Sequence, residues 1–80
     1  MAERIVVLAG DRAQFRQWAR AAGLDPHDRH LTYARDVYTL QGIHGARIVR
    51  YGTWHLRPDA RELDARARMA EAPGVVVPAT

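Results

Sequence analysis

Arg12, Arg16 and Arg20 recur at intervals of four, and no acidic residue lies between Arg12 and Gly23 to balance them. On a helix, steps of four drift only about 40° around the axis, so the three guanidinium groups would line one stripe. Such a stripe can hold phosphates or an acidic protein patch, although a solvated helix face reads the same way. A second set of groups is scattered along the chain: Asp11, Arg35, Asp36, Thr53, Trp54 and His55. It offers two carboxylates, a guanidinium fork, a hydroxyl, an imidazole and an indole able to stack on a ring. These do acid–base or binding chemistry only if the fold brings them together. Their plainer uses are helix capping by Asp11 and Asp36, loop packing by Trp54 and solvated charge at Arg35.

Other motifs point away from specific chemistries. His27-Asp28-Arg29-His30 places two imidazoles three residues apart, but no third strong ligand is near in sequence and zinc sites use three or four. No metal is expected. Ala9-Gly10-Asp11-Arg12 invites comparison with phosphate-binding turns, yet it lacks Gly-x-Gly-x-x-Gly and Gly-Lys-Ser/Thr. No nucleotide or other cofactor is expected. The chain has no cysteine, lysine, serine or asparagine, which excludes disulfides, thiolate metal sites, Ser or Cys nucleophiles and a Schiff-base lysine.

The elements that must position these groups can be read from the apolar pattern. Ile5–Leu8 is an uninterrupted β-favouring run within Arg4–Ala9, suited to a strand buried on both faces. Asp11 and Gln14 form a capping-box pattern for a helix over 12–22, with Phe15, Trp18, Ala19 and Ala22 on one face. Gly23 suits the left-handed position that ends it. His30–Ala34 reads as a second strand, and Asp36 as the cap of a short helix over 37–41. Ala46–Tyr51 reads as a third strand, edge-like because Arg47 and Arg50 interrupt it. Asp59 and Glu62 form another capping-box pattern before a helix with Ala60, Leu63, Ala67 and Ala70 on one face. Glu62–Arg66 and Asp64–Arg68 are favourable i,i+4 pairs on it. Val75–Val77 could add a short fourth strand.

Alternation of strands and helices predicts an α/β fold, a minimal βαβαβα domain spanning 1–80 with a mostly parallel three-stranded sheet. The most apolar strand belongs in the centre, which favours the order 2-1-3 over 3-2-1 and 2-3-1. In such a sheet ligands bind outside the carboxyl ends of the strands, where Asp11, Arg35, Asp36, Thr53, Trp54 and His55 fall. Two open edges on a chain of 80 residues make a homodimer a reasonable expectation. All twelve basic residues are arginine, the net charge is +3, and the longest apolar run is five residues, too short for a membrane span. With no signal-peptide pattern, the expected location is the cytoplasm of a host cell.

Phe15-Arg16-Gln17-Trp18, Gly23-Leu24-Asp25-Pro26 and Tyr51-Gly52-Thr53-Trp54 with Arg57-Pro58-Asp59 resemble small proteins encoded by phages of high-GC actinobacteria. The pattern also resembles a reduced P-loop or Rossmann-like core, in which Leu40-Gln41-Gly42 through Tyr51 would lead into a Walker-B strand. Gly52-Thr53 stands where acids would end that strand, so the resemblance implies that nucleotide hydrolysis has been lost. Together these readings favour a non-catalytic interaction module, a phage accessory protein that binds a host protein, with Arg12, Arg16 and Arg20 as its contact surface. The alternatives are a nucleic-acid-binding protein using the same stripe, and a small enzyme with its site at the strand ends.

Overall fold

A computed structural model describes residues 4–71. Val6, Val7, Leu8 and Ala9 are fully buried because strand β1 (Ile5–Ala9) is central and both of its faces are covered. Side chains alternate across a strand, so Val6 and Leu8 face one core and Val7 and Ala9 the other. This accounts for the absence of polar alternation in the sequence.

Helix α1 (Arg12–Ala21) follows, then β2 (Leu31–Tyr33), a 3-10 turn at Val37–Leu40, β3 (Arg47–Tyr51), a second 3-10 turn at Trp54–Leu56, and α2 (Ala60–Ala70). All pairings are parallel and the order is β2-β1-β3, as the apolar ranking predicts. The chain therefore reverses its direction across the sheet after β2. Phe15 and Ala19 of α1 pack with Val7, Ala9 and Leu31 on one face. Leu40, Leu63 and Ala67, from the first turn and α2, pack with Val6 and Leu8 on the other.

Three local expectations need correction. Trp18 is half-buried and Ala22 is exposed, so the buried stripe of α1 is Phe15 and Ala19 alone. A sheet of three strands is narrow, and only the part of the helix directly above it is covered. Asp59 does not cap α2: it adopts φ −97°, ψ 13° and its carboxylate turns to Arg57 instead. Asp64 pairs with Arg68 (3.1 Å) as expected and also with Arg50 on β3 (2.7 Å), whereas Glu62–Arg66 is not among the ion pairs. The expected fourth strand at Val75–Val77 lies outside the described residues. Glu71 nevertheless bridges to Ala46 in the parallel sense, so the chain leaves α2 beside the outer edge of β3.

The cap at Asp36 forms as its pattern predicts. Its carboxylate accepts from the Thr39 N–H (2.9 Å) and the Thr39 hydroxyl (3.0 Å). The hydroxyl first, then the amide, then Arg35 hold this carboxyl below its ordinary range. A depressed folded-state value means that the cap's contribution is complete above the unfolded value and is lost as pH falls through the folded one. Acid titration followed at the Thr39 amide by NMR should show the cap releasing only below the ordinary aspartate range. Asp36→Asn should abolish that step.

Candidate functional site

The reversal of strand order places the crevice where doubly wound sheets bind ligands between the carboxyl ends of β1 and β3. Gly10 closes one strand and Gly52-Thr53 the other. Two of the amides there, those of Gly10 and Thr53, are engaged by Gln14. Its Oε1 accepts from Gly10 N–H (2.9 Å) and Thr53 N–H (3.0 Å), and its Nε2 donates to Thr53 Oγ1 (3.0 Å). A Cβ on Gly10 would collide with Thr53 Oγ1, and one on Gly52 with the Gln14 carboxamide; Gly52 also has φ +65°. Glycine is thus required at both positions to admit the glutamine. Asp11 supplies the helix cap, accepting from Gln14 N–H at 2.8 Å. The reciprocal half of the expected capping box is absent because the Gln14 side chain is taken up by Gly10 and by Thr53 in the loop after β3.

A second residue fills the other half of the carboxyl end. Arg57 follows the Trp54–Leu56 turn, and its side chain is only 11% exposed. Nη1 donates to the carbonyls of Ala9 (3.0 Å) and Ala34 (2.8 Å). Nη2 donates to the Arg35 carbonyl (2.6 Å) and Asp59 Oδ2 (3.1 Å), and Nε to Asp59 Oδ1 (3.1 Å). Arginine has five N–H donors, so all five are used. The guanidinium ties the end of β1 to the end of β2, with its charge matched bidentately by Asp59. Sequence reading missed both roles. The only local signal for Arg57 is an acid two residues later, because its carbonyl partners lie 22 to 48 residues away.

The six strand-end residues do not converge on one cavity. Asp11 and Asp36 are caps, and Thr53 is bound to Gln14. Arg35 is exposed and lies 3.6 Å from Asp36. Trp54 is half-buried against the α2-side core, with the Arg50 guanidinium 5.8 Å from its ring centroid. His55 is exposed and edge-on to Trp54 at 6.1 Å.

Arg12, Arg16 and Arg20 are all exposed, and none takes part in an ion pair among the described residues. Arg16 and Arg20 continue the stripe, whereas the Arg12 guanidinium turns toward β2 and stands 5.2 Å from the Tyr33 ring centroid. Tyr33 also lies near Phe15 (5.4 Å between ring centroids, stacked) and Arg57 (5.9 Å). Beside it runs an open groove of about 270 Å³ lined by Arg12, Pro26, Thr32, Tyr33, Arg35 and Thr39.

Among the described residues no three His, Asp or Glu side chains are grouped to hold a metal. His27 and His30 each donate a backbone N–H to a nearby aspartate, Asp25 (2.9 Å) and Asp28 (2.8 Å). None of the described helices is long and apolar enough to cross a membrane. Comparison with protein-family models, curated proteins and solved structures finds no match, so the site is read from its geometry alone.

Proposed function

We propose that this protein is a non-catalytic interaction module whose arginine-lined α1 surface contacts an acidic patch on a partner protein. The observation carrying this reading is the contrast between the two places where arginine is used. At the strand ends, Gln14 engages Gly10 and Thr53, Arg57 engages the carbonyls of Ala9, Ala34 and Arg35, and Asp11 and Asp36 cap helical turns. On α1, three arginines stand exposed, with no ion pair to an acidic side chain among the described residues. In the phage setting that the sequence resemblance implies, the partner is a host protein. A nucleic-acid partner would need the same charges, and the same experiment separates the two.

Replacing Arg16 and Arg20 together by glutamine should leave the fold intact, since exposed charges away from special features change stability by only about 0.5 kcal/mol. The wild-type and double-variant proteins are immobilised side by side and exposed to host lysate, and both are run in a mobility shift with random-sequence duplex and single-stranded DNA at low salt. The expected result is a protein retained by the wild type and lost by the variant, with no DNA shift. A DNA shift whose salt dependence flattens by about two phosphate contacts in the variant would transfer the function to nucleic acid. Identical behaviour of the two proteins in both assays would remove the stripe from the interaction.

A further inference from the structure

β2 is an edge strand whose outward hydrogen-bonding groups are not all used. Ile5 N–H donates to the His30 carbonyl (2.8 Å) and Ala34 N–H to the Val7 carbonyl (2.9 Å). Alternate residues of a parallel strand bond to the same neighbour, so His30, Thr32 and Ala34 face β1 while Leu31 and Tyr33 turn their backbone groups outward. The Leu31 N–H is taken by the Asp28 carbonyl (3.0 Å) and the Tyr33 carbonyl by the Arg35 N–H (2.9 Å). The Leu31 carbonyl and the Tyr33 N–H have no protein partner among the described residues. Leu31 and Tyr33 both line the groove that Arg12 and Arg35 flank. Arg4 adds a third guanidinium over this edge, donating to Thr32 Oγ1 at 3.1 Å.

We propose that this groove binds an extended acidic peptide segment of a partner protein, which adds to the sheet through the Leu31 carbonyl and the Tyr33 N–H while its carboxylates meet Arg12 and Arg35. The inference rests on the interaction-module reading and names the chemistry of its partner. Three observations select this occupant. The groove is open and, at about 270 Å³, lies at or below the small end of enclosed ligand pockets, so it suits a chain passing along it. Strand addition supplies main-chain hydrogen bonds, and the flanking cations then select acidic side chains. A second copy of this chain is disfavoured, because apposed β2 edges would bring Arg12 and Arg35 against their own kind and the β3 edge carries the exposed Arg47. Tyr33 is preorganised for this role, since Phe15, Arg12 and Arg57 all pack near its ring.

The test uses a labelled, end-capped Val-Glu-Val-Glu-Val-Glu peptide and two versions of it, each N-methylated at one set of alternate amides. The unmodified peptide should bind and should slow hydrogen exchange at the Tyr33 amide. One N-methylated version should bind at least tenfold more weakly and the other nearly as well, because only one edge of the peptide faces β2. Arg12→Gln with Arg35→Gln should weaken binding at least tenfold in a protein with unchanged circular dichroism, whereas Arg61→Gln, an exposed position on α2, should leave it unchanged. Binding indifferent to N-methylation and to Arg12 and Arg35 would be diffuse charge attraction and would overturn the proposal, as would tighter binding of single-stranded DNA that protects the same amide. If the peptide fails while the wild type still retains a host protein through Arg16 and Arg20, the groove proposal falls and the interaction reading stands. If both fail, both fall.

Discussion

Replacing Arg57 by alanine should destabilise the protein by about 3 kcal/mol, the low end of the cost of removing one partner of a buried ion pair, because Asp59 remains 31% exposed. The side chain is 11% exposed and donates to the carbonyls of Ala9, Ala34 and Arg35 as well as to Asp59. Alanine would leave three carbonyls and a carboxylate without their donor at the junction of β1, β2 and the loop before α2. A buried group left unsatisfied loses about 1–3 kcal/mol, more when charged. Solvent reaching the vacated space would offset part of that sum. Domains have only about 5–15 kcal/mol of net stability, so the variant should unfold at low denaturant or at ordinary temperature. Arg57→Lys is the informative comparison. Lysine keeps the charge but has three donors on a single nitrogen and no planar fork. It should recover the smaller part of the loss, and a lysine variant with wild-type stability in urea titration would show that charge alone holds the strand ends.

Phe15→Ala should cost about 3–5 kcal/mol, the range for deleting a buried large aromatic. Phe15 is 3% exposed, packs beneath β1 with Val7 and Ala19, and stacks on Tyr33. Trp18→Ala should cost clearly less. The indole is half-buried at the margin of the same cluster, where the narrow sheet no longer covers the helix. Sequence pattern alone would rank the tryptophan first, since it is larger and shares the apolar face. Thermal melts of the two variants therefore separate the pattern from the packing: equal losses would mean that α1 sits differently on the sheet. The Phe15 variant has a second expected consequence. With its stacking partner gone, the Tyr33 ring loses a contact, so any folded fraction should show greater mobility of the Tyr33 ring by NMR.

These two expectations connect stability to the surface proposed to act. Arg57 and Phe15 both reach Tyr33, and Tyr33 lines the groove at the β2 edge. The interior thus fixes the geometry of an edge strand of only three residues. Short edge strands normally resist pairing with other chains. Here the flanking Arg12 and Arg35 make that resistance selective, repelling cationic edges and admitting acidic ones.

The sequence by itself determined the class of fold, the central place of β1 and the parallel order β2-β1-β3. The physical reason is local: an unbroken run such as Ile5–Leu8 can only be a strand covered on both sides, and a strand carrying Arg47 and Arg50 belongs at an edge. The Asp11 and Asp36 caps were equally legible, because a cap hydrogen bond spans three residues and leaves its mark within one turn. Tertiary structure alone decided what Gln14, Arg57, Asp59 and Trp18 do. Gln14 fits a capping box in sequence, yet its carboxamide crosses 39 residues to Thr53. Asp59 fits a cap, yet a largely covered guanidinium two residues away outcompetes the backbone amides for its carboxylate. Thr53 lies on another element, and Arg57 turns inward to Asp59 because of carbonyls 22 to 48 residues away, about which side-chain spacing along one segment holds no information. The same limit applies to the arginines: identical in the sequence, Arg57 is an internal tie, Arg12 a wall of a groove and Arg16 an open surface charge, and only the packing of the sheet distinguishes them.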